Sequence, residues 1–307
     1  DNTELNFLKA NDIRRLYIRF FDVVTEADDT VPHPNATLSL PQGNVIPEGV
    51  ECIPVVFITP ASLRYDSLPS LAAKTVRRVL AMAETNSLPR PREIQIDCDW
   101  TLSTRDAFFH FMEELRARAK EEGMKTSVTI RLHQLSTTPP AADYGVLMCY
   151  NTGDLTRPAA GNPILSLSAV EPYLKHLKSY PLPLVAAYPN FRWPALYGGN
   201  GEFVGILYGC DPAADPSIFR PAGKDVWKVI GSERFQTSVG SNAGVVRVAP
   251  GMTLRVFSPP PADDMVRLKD ALADRQPHIN QSVILFDLNP TNINIYTSED
   301  YETIFAD

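Results

Sequence analysis

The sequence has no CxxC pair, no HxH or HExxH pattern, no GxGxxG or Walker loop and no run of lysines or arginines. Each absence removes a class of function. Four cysteines, Cys52, Cys98, Cys149 and Cys210, stand too far apart for a zinc knuckle or a thioredoxin motif. Cys98 and Cys149 fall on apolar strand faces and read as buried thiols. The five histidines, His33, His110, His133, His176 and His278, are scattered, so no metal site is expected. Without a glycine-rich phosphate loop, no nucleotide cofactor is expected either. The formal net charge of −7 argues against a nucleic-acid surface. No apolar run is long enough to cross a membrane. The first ten residues carry neither a basic n-region nor an apolar h-region, as in a mature chain or one whose leader is removed.

What remains is an ordinary globular composition: 307 residues, 44% hydrophobic and 21% charged. Proline is plentiful, with 27 residues that cluster at Pro139-Pro140, Pro181-Leu182-Pro183 and Pro259-Pro260-Pro261. They punctuate a rhythm of strand and helix. Strands are predicted at 14–23, 52–59, 93–101, 125–133, 144–151, 184–193, 253–258 and 282–288. Helices are predicted at 67–86, 104–122, 168–179, 262–275 and 298–305, and residues 1–12 read as a polar lead-in. Strands alternating with helices imply parallel pairing. Eight such strands fit an α/β fold, a TIM-type (β/α)8 barrel forming a single domain over 1–307. Residues 194–250 read as an insertion over its mouth, with loop at 240–251. A doubly wound sheet is the rival, unsupported by any phosphate loop.

One strand organises the rest. Along Glu93–Thr101, Ile94, Ile96, Cys98 and Trp100 point one way, and Gln95, Asp97, Asp99 and Thr101 point the other. Asp97 and Asp99 stand about 7 Å apart at the usual strand rise. Aspartate is a poor strand former, so two on one face need a partner or a task.

In a barrel, the C-terminal strand ends meet at one mouth. They offer Arg19 from the first strand, Asp97 and Asp99 from the third, Arg131 and His133 from the fourth, and Tyr150 and Asn151 from the fifth. Phe191 and Trp193 come from the sixth and Asp287 from the last. Carboxylates beside aromatic rings suit sugar chemistry: acids manage protons and oxocarbenium-like charge, and rings stack on sugar faces. Asp97, Asp99, His133 and Asp287 are therefore the catalytic candidates. Arg19, Arg131, Tyr150, Asn151, Phe191 and Trp193 are the substrate-binding candidates. The plainer alternative is an ion-paired barrel centre in which Arg19 and Arg131 neutralise the acids. Trp100, on the outward face, reads as core.

Asp97-Cys98-Asp99-Trp100 resembles the end of the DxxDxDxE strand of family-18 glycoside hydrolases, the chitinase-like barrels. Met148-Cys149-Tyr150-Asn151 is similar to that family's M-x-Y-D strand, and Leu184–Trp193 to its next strand. The three pieces occur in the family's order and cover about a third of the chain. The chain also resembles a bacterial domain family of unknown function with glycoside-hydrolase-like character, through its RFFDV first strand, EIQIDCDWT and IRLHQ. These resemblances imply a barrel, a carbohydrate partner and a periplasmic, secreted or lipoprotein location.

The departures from the chitinase pattern bear on chemistry. In this alignment Thr101 takes the place of the catalytic Glu, Asn151 that of the Asp in Y-D, and Ile94 that of the first Asp. A threonine is no general acid near neutral pH. Two readings follow. One is a carbohydrate-active, glycoside-hydrolase-like protein with a rebuilt acid set. The other is a catalytically silent barrel that binds a glycan or a protein partner in the same cleft. An enzyme of another class stays open, because a fold does not fix a function.

Overall fold

The computed structural model describes residues 2–26, 29, 31–41, 46–157, 161–239 and 242–306. Its main sheet contains seven parallel strands laid side by side in chain order. They are β1 (Arg15–Val24), β2 (Glu51–Ile58), β3 (Glu93–Asp97), β4 (Lys125–Arg131), β5 (Tyr144–Met148), β6 (Leu184–Pro189) and β7 (Ile284–Phe286). A short antiparallel strand, His33–Asn35, lies on the outer edge of β1.

The sheet curls but stays open. Among the described residues no ladder joins β7 to β1 or to His33–Asn35. The expected eight-stave barrel is thus a seven-stave open barrel. The missing stave is traceable: Thr253–Phe257 is a strand, but it pairs antiparallel with Trp193–Tyr197 and Val226–Val229 in a second sheet. The predicted strand 184–193 also divides, because Leu184–Pro189 belongs to the main sheet while Trp193 begins the second.

That second sheet has seven strands, all antiparallel. Its order is Phe219–Gly223, Val226–Val229, Thr253–Phe257, Trp193–Tyr197, Phe203–Leu207, Glu233–Val239 and Asn242–Val248. The insertion therefore runs through Phe257 rather than ending at 250. The loop expected at 240–251 holds a strand from Asn242 to Val248, with 240 and 241 outside the described residues. Leu196, Leu207, Phe219, Val229, Val248 and Leu254 give this sheet its own small core.

Helices cover the main sheet on its outer face. They are α1 (Asn2–Ala10), α2 (Leu68–Thr85), α3 (Arg105–Glu121), α4 (Leu167–Leu174), α5 (Ala262–Ala273) and α6 (Ser298–Phe305). In α3, Phe108, Phe111, Met112 and Leu115 recur at helical spacing and are fully buried. They share one core with Ile94, Ile96 and Cys98 of the organising strand. Trp100 completes this side, buried with its ring 6.3 Å from Phe108 and 5.5 Å from Phe109. Burying an aromatic of this size contributes about 2–3 kcal/mol, so the apolar face of Glu93–Thr101 anchors the strand. The polar face is left to look inward.

α1 replaces the expected polar lead-in. Only Leu8 is buried there, and Phe7 meets the Tyr301 ring edge-on at 4.9 Å. That is too faint a periodicity to read from sequence.

Candidate functional site

The alternation of β3 and the parallel register place its acids. Phe57 of β2 lies opposite both Asp22 of β1 and Asp97 of β3, so the three form one row across the sheet. Thr129 of β4 donates its hydroxyl to Asp97 Oδ1 at 2.6 Å. Arg131, two residues further along β4, reaches the same Asp97 oxygen through Nη2 at 3.5 Å. Its Nε donates to Asp99 Oδ1 at 2.5 Å, and Nη2 also contacts that oxygen. Met148 of β5 holds the other side of the guanidinium through its sulfur. One arginine thus joins the two acids.

The acids are not equivalent. Asp97 is 26% exposed and Asp99 55%. Burial pushes the Asp97 carboxyl above its ordinary value, against the pull of Arg131 and the Thr129 hydroxyl. Burial also works against the Arg131 charge, but Asp97 and Asp99 outweigh it and raise its pKa. His133 lies just past β4, in the 3-10 turn Leu132–Ser136, and is exposed. Partial desolvation and the nearby Arg131 charge lower its pKa, so its imidazole is neutral at pH 7.

Below this row is a second polar layer. Glu93 is buried, and accepts from Ser127 Oγ and Tyr144 Oη at 2.5 Å each. Tyr17 of β1 meets Tyr144 across the interior at 2.8 Å. Burial and the Glu93 charge raise the Tyr144 pKa, so it stays a protonated donor. The layer holds the first, third, fourth and fifth staves together from inside.

A cluster of aromatic rings adjoins the Asp97 and Arg131 charges through Tyr150. Tyr150 stacks on Phe286 at 5.2 Å between ring centres and meets Phe191 edge-on at 5.9 Å. Phe191 touches Phe286 at 5.8 Å and Trp193 at 5.1 Å. Phe286 is 48% exposed, an unusual state for a large apolar ring. Tyr150 is buried, and desolvation raises its pKa.

The remaining sequence candidates stand further from the acids. Arg19 is held by both oxygens of Asp22 and lies over the Phe57 ring at 5.3 Å, reaching Asp97 only as a more distant charge. Asn151 takes a left-handed turn with φ of 57° just after β5. Asp287 follows Phe286, but its carboxylate accepts from Asn289 at 3.1 Å and from Asn292. No hydrogen bond joins it to Asp99 among the described residues. Thr101 lies in the turn past β3, with its hydroxyl 2.9 Å from that of Ser103 and its N–H bonded to Thr104.

So Asp97, Asp99, Arg131 and His133 meet at one strand-end cluster, and Tyr150, Phe191 and Trp193 share one wall. The sequence reading missed Thr129, Glu93 and Phe286. Thr129 was legible, since it shares the inward face of β4 with Arg131. Phe286 was not, because a three-residue strand shows no period. All four cysteines are free, and Cys98 and Cys149 are buried as expected. Among the described residues no group of three or more His, Cys, Asp or Glu side chains is arranged to hold a metal. No described helix is long and apolar enough to cross a membrane.

Comparison of this architecture with solved structures finds a similar fold in chitinases and in a spore cortex-lytic enzyme. The chain is similar to a chitinase from Chromobacterium violaceum ATCC 12472, with a TM-score of 0.55 and 13% identity over 99% of this chain and 93% of that one. It is similar to the spore cortex-lytic enzyme SleL of Bacillus megaterium QM B1551, with a TM-score of 0.58 and 13% identity over 98% and 70%. A class V chitinase from Pseudomonas fluorescens Pf-5 gives 0.53 and 13% over 98% and 95%. No family model and no curated protein sequence matches the chain. At these identities, fold is what the chains share.

Proposed function

We propose that the protein is a glycoside-hydrolase-like carbohydrate-active protein that takes a glycan in the mouth of the open barrel. The observation that carries this reading is the convergence of Asp97 and Asp99 on one guanidinium, close enough to Tyr150 of the aromatic cluster for the Asp97 and Arg131 charges to act on it. Rings of this kind pack on the apolar faces of sugars. Polar groups beside them bind hydroxyls and fix the sugar's orientation.

Within this reading the chitinase-like pattern is set two residues earlier than the sequence alone suggested. Thr101 lies four residues past the end of β3 and serves the turn into α3. The last two acids of DxxDxDxE then correspond to Asp97 and Asp99, and Gln95 stands where the pattern has its middle Asp. Asp99 replaces the family's Glu with a side chain shorter by one carbon–carbon bond, about 1.5 Å.

The geometry supports one assignment of roles. Asp99, the exposed acid, works at the anomeric carbon as acid/base or charge-stabilising carboxylate. Arg131 and the buried Asp97, whose pKa burial raises, set its charge. Arg131 must release Asp99 before Asp99 carries a proton. His133 offers a neutral ring to a sugar hydroxyl, and Trp193 the stacking surface.

A second reading has its own support. A guanidinium bound to both acids is the resting state of a charged, non-catalytic pair. This is the silent barrel, which binds a glycan and leaves it intact. A hydrolysis and binding screen on β-linked oligosaccharides, with wild type and Asp99→Asn, separates the two. Turnover that vanishes in the variant while binding persists supports the enzyme. Binding without turnover in both proteins supports the silent barrel. Failure to bind any sugar removes both.

A further inference from the structure

A second cleft, of about 840 Å³, opens where the inserted sheet meets the barrel. This volume lies within the range of small-ligand sites. Three cations line it: Arg192, Lys224 and Arg255. The concentration is unusual in a chain whose net charge is −7. Arg192 and Lys224 form no hydrogen bond or ion pair among the described residues, whereas Arg14, Arg90, Arg116 and Arg267 each hold a carboxylate on the surface. Two acids also line the cleft, Asp225 and Asp300. Asp300 is committed elsewhere, since its carboxylate caps α6 through the Thr297 N–H at 3.0 Å and hydroxyl at 2.8 Å. The cations outnumber the acids, and only Asp225 has its carboxylate uncommitted.

The fold fixes these cations beside one another. Val226 is the ladder partner of Arg255. The N–H of Val256 donates to the Asp225 carbonyl at 2.9 Å, which pins the Lys224-Asp225 turn against the strand that carries Arg255. Arg255 lies over Phe257 at 5.7 Å, and Phe257 is the ladder partner of Trp193. Directly paired residues of an antiparallel ladder share a face, as do residues two apart on one strand. Trp193, Phe257 and Arg255 therefore line one face of the inserted sheet. Arg192 immediately precedes Trp193. Phe257, which lines the cleft, thus borders Trp193 of the aromatic cluster.

We infer that this cleft is an anion-binding subsite for a carboxylate carried by a glycan chain that occupies the mouth, so that the protein's substrate class is acidic rather than neutral oligosaccharide. The inference rests on the glycan reading above. A carboxylate held by an arginine fork and a lysine gains charge-assisted hydrogen bonds that a neutral sugar cannot form.

The test compares a carboxylated oligosaccharide, such as an oligouronate, with its carboxyl-reduced counterpart. Titration calorimetry at fixed ionic strength is run on the full chain and on the Arg192→Gln/Lys224→Gln double variant. Both substituted residues are exposed, so melting temperatures should match. The expected result is that wild type binds the acid form about ten- to a hundred-fold more tightly. The double variant should lose that preference and keep its affinity for the neutral form. Equal binding of the two forms by wild type overturns the subsite while sparing the glycan reading, and so does a preference that survives in the double variant. Binding of inorganic phosphate without any preference among glycans overturns it as well. Failure to bind either oligosaccharide overturns both proposals.

Discussion

Arg131 answers for two acids at once, and its loss should be felt as charge rather than as volume. Arg131→Gln leaves Asp97 enclosed with the Thr129 hydroxyl and the more distant Arg19 charge against its own. Leaving such a group without its partner costs about 1–3 kcal/mol. Urea denaturation at pH 7 should show that loss, and it should shrink in acid as Asp97 takes up a proton. Asp97→Asn runs the other way. Burial raises the Asp97 pKa above the ordinary 3.8, so the folded chain holds a proton that the unfolded chain releases. Stability then falls as pH rises from 3.8 through the folded-state value. The amide keeps an oxygen for Thr129 and carries no charge. Melting curves should show Asp97→Asn more stable than wild type at pH 7, with the difference vanishing toward pH 4. A lower melting temperature at pH 7 would mean that the Arg131 pairing outweighs burial. The pair itself was legible in the sequence, because period-two alternation put Asp97 and Asp99 on one face and Arg131 on the next strand's inward face. The Met148 sulfur and the Glu93 layer were not, since nothing in a strand pattern says which inward side chains touch.

Among elements, β3 shows why some of the fold could be read and some could not. Its apolar face matches the helical stripe of α3, and both signals survive in one sequence. Thr253–Phe257 alternates just as well, yet sits in the other sheet. Alternation reports a half-buried strand and does not say which sheet it joins. Partner choice is set by contacts far away in sequence, here with Trp193–Tyr197 and Val226–Val229. The inserted sheet offers its own test. A Cβ at Gly231 would stand 2.5 Å from the Ser217 carbonyl and 2.7 Å from Ile218 Cδ1. The first of these is backbone and cannot swing aside. Gly123, which ends α3 with φ of +74°, faces open space. Gly231→Ala should cost about 1–3 kcal/mol by overpacking. Gly123→Ala should cost about 1 kcal/mol, from left-handed strain alone. Equal losses in chemical denaturation would contradict the close approach at Gly231.

At the scale of the whole molecule, the barrel is one stave short and its interior is polar at two levels. A closed barrel fills its centre with branched apolar side chains. Here Tyr17, Arg19, Glu93, Asp97, Thr129 and Arg131 occupy that space, and Arg19 keeps 58% of its side chain exposed. Such an interior gives up apolar packing and leaves Arg19 and Asp99 partly open to solvent. The inserted sheet adds Trp193 to the aromatic cluster and carries Lys224 and Arg255 of the cationic cleft. We propose that a glycan lies across these groups with Asp99 at its reacting bond. The most direct measurement is product release from defined β-linked oligosaccharides by wild type and Asp99→Asn, with binding followed in parallel. The account predicts cleavage by wild type, and binding without cleavage by the variant. Cleavage undiminished in Asp99→Asn, or no binding of any oligosaccharide by either protein, would contradict it.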